Sequence, residues 1–205
     1  MDNTLGSSSP SFSSSTRKQG FTIIEAMVAI AVVSILSAIA LPSMSDFLVK
    51  MRVDNEISEM QRLLLTARNM AINTGKNTTV CPLSDGTCTT NWAGEISVFT
   101  NDANTLANAQ SFAGADELVK VKEAIKSGDK LQFATHTRIV YAPTGRLLFP
   151  TTTSTFKHCP KEGATSSGNS SRGIDISISG RSYITSDTDN DGKDEDRDGV
   201  AIECS

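Results

Sequence analysis

The sequence predicts an α+β fold, in which one long N-terminal α-helix packs against an antiparallel β-sheet head domain. Three observations support this fold class: an apolar run close to the N-terminus, an amphipathic pattern that continues it with helical period, and strand-like alternation in the rest of the chain. The 205 residues are enough for one globular domain with its own core and a helical extension. Aromatic residues make up only 5% of the chain, so the core is expected to be mainly aliphatic.

Residues 1–20 form a polar, Ser-rich segment that contains no apolar run. Such a segment has too little apolar surface to pack a core or to cross a bilayer. Arg17 and Lys18 stand just before the apolar run that follows, and positive charge at this position retains the end of the chain in the cytoplasm. We interpret residues 1–20 as a leader.

The apolar run AMVAIAVVSILSAIAL (26–41) contains two serines and no charged residue. A serine hydroxyl can donate to a carbonyl of its own helix, so both serines are compatible with a lipid environment. Together with residues 21–25, the run has about 20 residues, which is the length that a helix needs to cross a membrane. Residues 21–44 are therefore predicted to form the membrane-embedded half of a helix.

Two features distinguish this segment from an ordinary signal peptide or signal anchor. Glu25 lies inside the apolar segment, where a carboxylate costs on the order of a few kcal/mol unless it finds a partner. Cleavage between Gly20 and Phe21 would create an α-amine one helical turn away from Glu25. Cleavage after Ala38 or Ala40, as in a secretory signal, and an uncleaved anchor are the alternatives.

The run KQGFTIIEAMVAIAVVSILSAIALP (18–42) resembles the class III signal of type IV pilins and type II secretion pseudopilins. The resemblance implies that a prepilin peptidase cuts after Gly20 and that Phe21 becomes an N-methylated N-terminus. It also implies that Glu25 pairs with the α-amine of a neighbouring subunit in a filament. Such a buried ion pair is costly if one partner is missing, so it selects one axial register. Pro42 is expected to kink or loosen the helix.

An apolar stripe continues the helix beyond Pro42, while charged residues occupy the other faces. The stripe recurs at alternating spacings of four and three residues. It consists of Val53, Ile57, Met60, Leu64, Ala67 and Ala71. The dipeptide Thr74-Gly75 is a helix stop signal. Residues 45–74 are thus predicted to form the amphipathic half of a helix that spans 21–74, a length of about 80 Å.

Residues 75–205 change to alternating, strand-like patterns separated by polar connections, and they are predicted to form a β-rich head. Gly145 and Gly180 each interrupt a pair of strands and are interpreted as turns. The main polar connections are 101–116 and 161–172. Strands are predicted at 78–82, 95–100, 130–134, 137–141, 146–149, 154–158, 173–179 and 181–185.

Three runs in the head resemble the GspH/FimT branch of the pilin superfamily: NWAGEISVF (91–99), YAPTGRLLF (141–149) and RGIDISISGR (172–181). The resemblance implies a low-copy minor pilin of the FimU/FimT type, which helps to initiate or cap a type IV pilus. A GspH-type pseudopilin of a type II secretion system is the alternative. Trp92, the sole tryptophan, is interpreted as a core or strand-edge anchor.

The four cysteines, Cys81, Cys88, Cys159 and Cys204, allow three disulfide pairings. The choice that is local in sequence is Cys81–Cys88 with Cys159–Cys204. The exported N-terminal segment favours disulfides over free thiols. Zinc is a weaker alternative, because the cysteine spacings are not those of a zinc knuckle and only His158 lies beside a cysteine.

The sequence DTDNDGKDEDRDG (187–199) has the spacing of a calcium-binding loop. Its carboxylates fall at positions 1, 3, 5, 9 and 12 of such a loop, a glycine falls at position 6, and a backbone carbonyl is expected at position 7. The corresponding residues are Asp187, Asp189, Asp191, Gly192, Lys193, Glu195 and Asp198. Position 12 holds Asp where an EF-hand has Glu, so bidentate capture is less certain there. A solvated acidic tail without metal is the alternative, and Ca²⁺, if bound, would be structural.

Two other function classes are disfavoured. Some minor pilins of this branch take part in DNA uptake, so a DNA-binding minor pilin for natural transformation is the second alternative. Arg146, Arg172 and Arg181 would serve such a site, but the acidic loop repels phosphate, and no nucleic-acid site is assigned. His136 and His158 are the only histidines and no G-x-S-x-G motif occurs, so no enzymatic activity is expected.

The resemblance also implies the partners of the chain and its cellular location. Its expected partners are other pilins or pseudopilins, the prepilin peptidase and an inner-membrane assembly platform. The expected location is the bacterial inner membrane, with the head in the periplasm, and afterwards a pilus or pseudopilus.

Overall fold

The computed structural model describes residues 20–101, 105–161 and 170–203, without the side chains of residues 39–43, 45, 46 and 108. Of the predicted leader, only Gly20 is among these residues, and Cys204 lies outside them. The chain divides into two compact units, Met1–Ser43 and Met44–Ser205.

Helix α1 spans Ile23–Thr74. Thr22 caps its start, since Thr22 Oγ1 accepts the N–H of Glu25 at 3.3 Å. At the other end, Gly75 has a φ of +67° and donates its N–H to the carbonyl of Ala71 at 3.1 Å. Glycine adopts this left-handed conformation without a Cβ penalty, so the helix ends at the stop signal of the sequence.

The described part of the first unit exposes its apolar side chains on all sides. The large apolar residues from Phe21 to Leu36 are 50–86% exposed. Ser34 Oγ donates to the carbonyl of Ile30 at 2.7 Å and Ser37 Oγ to that of Val33 at 2.8 Å, as expected for serines in an apolar helix. Among the described residues, no helical segment combines the length and the hydropathy that crossing a bilayer requires. The membrane segment at 21–44 stays a prediction.

The predicted apolar stripe of α1 is buried in the second unit. All six members are 0–1% exposed, namely Val53, Ile57, Met60, Leu64, Ala67 and Ala71. They share one core with residues of both β-sheets, including Val80, Tyr141, Phe156 and Ile174. The second half of the helix is therefore part of the hydrophobic core of the head.

Ten strands lie within the described residues and form two antiparallel sheets, so the α+β fold is confirmed. The first sheet has the order β4-β3-β1-β6-β7 with β2 paired to β1, and the second has the order β10-β9-β8-β5. The strands are β1 Asn77–Ser84, β2 Thr87–Cys88, β3 Ile96–Asn101, β4 Glu117–Lys122, β5 Lys130–Gln132, β6 Ile139–Tyr141, β7 Leu147–Phe149, β8 Ser154–Cys159, β9 Arg172–Ile176 and β10 Ser182–Ile184.

The eight predicted strands are all present, with ends that shift by at most three residues. Strands β2 and β4 were not predicted. Strand β4 lies at the edge of the first sheet and is exposed on both faces, so its sequence ELVKVK has no consistently apolar side. Strand β2 has only two residues, which is too short for a pattern to show.

The predicted turns at Gly145 and Gly180 connect β6 to β7 and β9 to β10. Both glycines have positive φ angles, +75° and +78°. A Cβ on Gly180 would overlap the carbonyl oxygen of Gly145, so the two turns touch. That carbonyl also accepts Arg68 Nε of α1 at 2.9 Å. The glycines thus let both turns approach each other and the helix.

Trp92 is buried between the layers, as the sequence predicted. Its ring packs edge-on against Phe133 and Phe156 at centroid distances of 5.3 and 4.9 Å. Its Nε1–H donates to the carbonyl of His136 at 2.7 Å, so the indole brings no unsatisfied donor into the core.

Charged pairs attach the second half of α1 to the sheets. Lys122 Nζ of β4 lies 2.7 Å from Glu56 Oε2, and Asp129 Oδ2 lies 3.2 Å from Arg52 Nε. The Lys122 and Asp129 side chains are buried, so loss of either partner would leave an uncompensated charge. His158 lies 4.0 Å from the same Asp129 oxygen, and burial lowers the pKa of His158, so its ring is uncharged at neutral pH.

Adjacent leucines on α1 test the role of the stripe. Leu64 is 1% exposed and Leu65 is 41% exposed. We expect Leu64→Ala to lower the free energy of unfolding by about 2–5 kcal/mol, because it leaves a cavity in the core. Leu65→Ala should change it by less than about 1 kcal/mol. Denaturant unfolding of the two variants, followed by the fluorescence of Trp92, measures the difference, and equal losses would contradict the packing described above.

Candidate functional site

The sequence-predicted processing site lies at the exposed start of α1. Gly20 and Phe21 are exposed and precede the helix. Glu25 is also exposed and lies in the first turn, where the positive end of the helix dipole favours a carboxylate. The helix continues through Pro42. Cleavage after Gly20, methylation of Phe21, pairing of Glu25 and a kink at Pro42 all stay predictions.

Cys81 and Cys88 form a disulfide between β1 and β2. They flank a tight hairpin turn at Asp85 and Gly86, which have positive φ angles of +49° and +75°. This is the pairing that is local in sequence. Cys159 is also disulfide-bonded. Its pairing with Cys204, which lies outside the described residues, stays a prediction.

The acidic loop brings four of the predicted ligands together. They are Asp187, Asp189, Asp191 and Glu195, and each offers one carboxylate oxygen that lies within 4.8 Å of the others. Four carboxylates this close repel one another unless a cation lies between them. The group could therefore hold a metal ion, and its all-oxygen character suits a hard cation.

Local hydrogen bonds fold the loop around this group. Asp187 Oδ1 accepts the N–H of Asn190 at 2.7 Å, and Asp187 Oδ2 accepts that of Gly192 at 3.0 Å. The chain turns sharply at Gly192, where φ is +90°. Asp189 and Asp191 each accept the N–H of the residue two positions later, at 3.0 and 2.8 Å. Short side chains that cap their own backbone in this way explain why aspartates stand at positions 1, 3 and 5.

Glu195 differs from the three aspartates because it is buried, with 7% exposure. Its Oε2 accepts two hydrogen bonds from Thr188, at 2.6 Å from the backbone N–H and at 2.7 Å from the hydroxyl. Its Oε1 is buried without a hydrogen-bond partner. A buried carboxylate oxygen without a partner is costly, and a cation within the group would satisfy it.

The structure does not bring Asp198, the predicted twelfth position, into this group. Asp198 lies instead in a separate turn at 196–200. Asp196 Oδ1 accepts the N–H groups of Asp198 and Val200, both at 2.9 Å, and Gly199 has a φ of +77°. The Asp-x-x-Gly pattern at 196–199 is a turn signature that indicates this reversal in the sequence. For Lys193, the N–H contacts Asp191, and a role of its carbonyl as a ligand stays a prediction.

Two residues beside the loop were missed as site residues. Asp194 is buried and accepts the hydroxyl of Thr185 at 2.9 Å. Arg172 of β9 lies 2.6 Å from Asp54 of α1 and 3.8 Å from Asp194. One of the three arginines that a nucleic-acid site would need thus neutralises carboxylates of its own chain.

A surface cleft of about 990 Å³ contains the other chemically notable pair. His136 Nε2 lies 3.4 Å from Ser154 Oγ, and the same hydroxyl donates to the carbonyl of Thr152 at 3.3 Å. The backbone carbonyl of His136 accepts the hydrogen bond from Trp92 Nε1–H described above. Asp196, Asp198 and Glu203 of the C-terminal segment form part of the lining of this cleft.

The fold and the helix define a class: a long helix with an exposed apolar first half, whose second half packs on a β-rich head, is the architecture of pilin-like filament subunits. Residues 56–180 match the family model described as Type II transport protein GspH, and residues 15–41 match the prokaryotic N-terminal methylation motif. The first match covers more than half of the chain. The chain belongs to the GspH family of minor pilins and pseudopilins, which are structural filament subunits.

Several known proteins are similar to parts of this chain. Two fimbrial proteins of Pseudomonas aeruginosa are 41% identical over 59 residues, which are 29% of this chain and 38% of theirs, so the chain spans well under half of their length. The crystal structure of the type IV minor pilin FimU of Pseudomonas aeruginosa is 18% identical with a TM-score of 0.50, covers 65% of this chain and 88% of that chain, and shares the fold. The minor pseudopilin EpsH from the Type 2 Secretion System of Vibrio cholerae is 13% identical with a TM-score of 0.43, over 65% of this chain and 95% of that chain.

Two acidic residues of the C-terminal segment test the ligand set. We expect Glu195→Gln to weaken Ca²⁺ binding by at least about tenfold, because affinity depends on the charge of the ligands. Asp198→Asn should leave the dissociation constant within about threefold, because Asp198 lies outside the group. Isothermal titration calorimetry on the full chain in detergent measures both constants. A larger loss for Asp198→Asn than for Glu195→Gln would restore Asp198 as the twelfth-position ligand.

Proposed function

We propose that this chain is a minor subunit of a type IV pilus, which helps to initiate or cap the filament after a prepilin peptidase removes residues 1–20. The observation that carries the proposal is the contrast between the two halves of α1. Up to Leu36 its apolar side chains are exposed, whereas from Val53 onward its apolar stripe is buried in the head. A helix that is apolar on all sides requires lipid or other apolar helices around it. Residues 21–44 would supply that contact, first in the inner membrane and then in the filament core.

Cleavage at Gly20 changes the electrostatics of the exposed half. It removes Arg17 and Lys18 and creates an α-amine at Phe21. In the filament, the amine of a neighbouring Phe21 would pair with Glu25. Because an unpaired carboxylate among apolar helices is costly, the pair would hold each subunit in one axial register. A bend at Pro42 would help the helices to pack side by side.

A minor role is supported by family membership and by the fold shared with FimU. The curated relatives are fimbrial proteins, which favours a pilus. The partners would be other pilins, the prepilin peptidase and the inner-membrane assembly platform, with the head in the periplasm. A GspH-type pseudopilin of a type II secretion system is the second candidate, and the description of the matching family favours it.

The acidic loop would hold a structural Ca²⁺ ion. Asp187, Asp189, Asp191 and Glu195 would supply carboxylate oxygens, and the carbonyl of Lys193 would add a fifth protein oxygen. Ca²⁺ takes six to eight oxygens in flexible geometry, which suits a loop of closely spaced aspartates better than the strict octahedron of Mg²⁺. This ion would stabilise the head and would take no part in chemistry, since the proposed role is structural.

Complementation of a deletion strain tests the filament role. The wild-type chain should restore surface pili and twitching motility, whereas Glu25→Gln should not, because an amide cannot form the ion pair. Glu123→Gln, at an exposed position of the head, removes the same charge and should restore motility like the wild type.

The same strains distinguish the two filament systems when enzyme secretion is scored beside motility. Loss of motility with normal secretion supports the pilus. Loss of secretion with intact motility would move the chain to the pseudopilus. Full function of the Glu25→Gln variant in both assays would overturn the proposed assembly mechanism.

A further inference from the structure

The segment 194–202, which we term the C-terminal strap, follows the aspartates of the loop and lies on the second sheet. The strap folds back on itself, because Ile202 donates its N–H to the carbonyl of Asp194 at 2.7 Å. Glu195 N–H reaches the carbonyl of Ser186 at 3.2 Å, just beyond the end of β10. Asp194, Glu195 and Ile202 are all buried. Both ends of the strap are therefore packed against the head.

Three contacts join the strap to β9. A Cβ placed on Gly173 would lie 3.1 Å from Ile202 Cδ1, so the isoleucine packs directly on the glycine. Arg197 donates its N–H to Asp175 Oδ2 at 2.8 Å. The hydroxyl of Thr185, which donates to Asp194, also accepts the N–H of Gly173 at 2.7 Å. Docking of the strap thus buries apolar surface, and backbone N–H groups at this contact are satisfied by side-chain oxygens.

Docking also buries negative charge. Asp175 has the hydroxyl of Thr155 at 2.7 Å and the N–H of Arg197 as donors. Asp194 has the hydroxyl of Thr185 and the guanidinium of Arg172. Glu195 accepts hydrogen bonds only from Thr188, and only on Oε2. Its Oε1 is buried without a hydrogen-bond partner. The negative charges of Asp175 and Asp194 are therefore compensated more completely than that of Glu195.

Glu195 belongs to two structures at once, because it is a member of the metal-binding group and a buried residue of the strap. We propose that the metal ion in the acidic loop is the counter-ion for buried Glu195, so that metal binding keeps the C-terminal strap docked on β9. The inference rests on the proposed metal site and assigns that site a regulatory role. Without the ion, lifting the strap returns the charge of Glu195 to water, because an uncompensated buried charge strongly disfavours the docked form.

The consequence reaches beyond the loop. Asp196 and Asp198 of the strap, with Glu203 next to it, line the cleft that also contains His136 and Ser154. Metal binding therefore sets the shape and the acidity of this part of the head surface.

Hydrogen exchange measured by mass spectrometry on the full chain in detergent tests the proposal. In the wild type, excess Ca²⁺ should slow exchange of the peptide that contains the strap by at least about tenfold relative to chelator. The strands around Cys81 and Val98 lie in the other sheet and should show no comparable change. Isothermal titration calorimetry on the same samples establishes whether Ca²⁺ binds.

Two variants separate the charge of Glu195 from the presence of metal. Glu195→Gln keeps the shape and removes the charge, so its strap should exchange slowly with or without Ca²⁺. Asp189→Asn changes an exposed ligand and leaves Glu195 charged, so its strap should exchange fast at a Ca²⁺ concentration that saturates only the wild type. Asp198→Asn, a strap residue outside the group, should behave as the wild type.

The outcomes distinguish this inference from the metal assignment. If the wild type binds Ca²⁺ but the exchange of its strap does not change, the regulatory role is wrong and the metal site stands. If Glu195→Gln exchanges as fast as the wild type in chelator, the charge of Glu195 does not control docking and the proposal is also wrong. If the wild type binds no Ca²⁺ by calorimetry, the metal assignment fails and this inference fails with it.

Discussion

Burial of one stripe of helix α1 is the constraint on which the rest of the structure depends. Two antiparallel sheets share a single core with the stripe, and the core is closed from the helix side by Val53, Ile57, Met60, Leu64, Ala67 and Ala71. Beside the stripe, Arg68 and Ile72 of the helix contact the turn at Gly145, which in turn contacts the turn at Gly180. Because the stripe is buried, the second half of the helix is a part of the head core.

Charged groups at the border of this core specify where the helix lies. The partly buried pairs Lys122–Glu56 and Asp129–Arg52 connect α1 to residues from different parts of the head. The pair Arg172–Asp54 is more exposed and contributes little by itself. The pair is nevertheless informative about the layout of the head, because Arg172 also lies 3.8 Å from Asp194 at the base of the acidic loop. The acidic loop, the strap and the helix thus meet through one strand, β9.

Local patterns in the sequence predicted most of the fold, and tertiary context explains what they missed. The helix stop at Gly75, the turns at Gly145 and Gly180, and eight strands follow from period and turn chemistry alone. Strand β4 was missed because an edge strand that is exposed on both faces carries no apolar period. Asp187, Asp189 and Asp191 converge because each caps its own backbone, which is a local property. Asp198 has the expected spacing but lies within a second turn. The burial of Glu195 depends on the strap and the sheet, and no local pattern reveals it.

The central claim is that residues 21–74 act as one helix, half assembly handle and half core of the head. The N-terminal residue of the chain recovered from sheared filaments, determined by mass spectrometry, tests it most directly. We expect a chain that begins at N-methylated Phe21, which retains the whole exposed half of α1 and places an amine one turn from Glu25. A chain that begins after Ala38 or Ala40, or one that still carries Met1, would contradict the account, since the handle would be missing or the amine would never have formed.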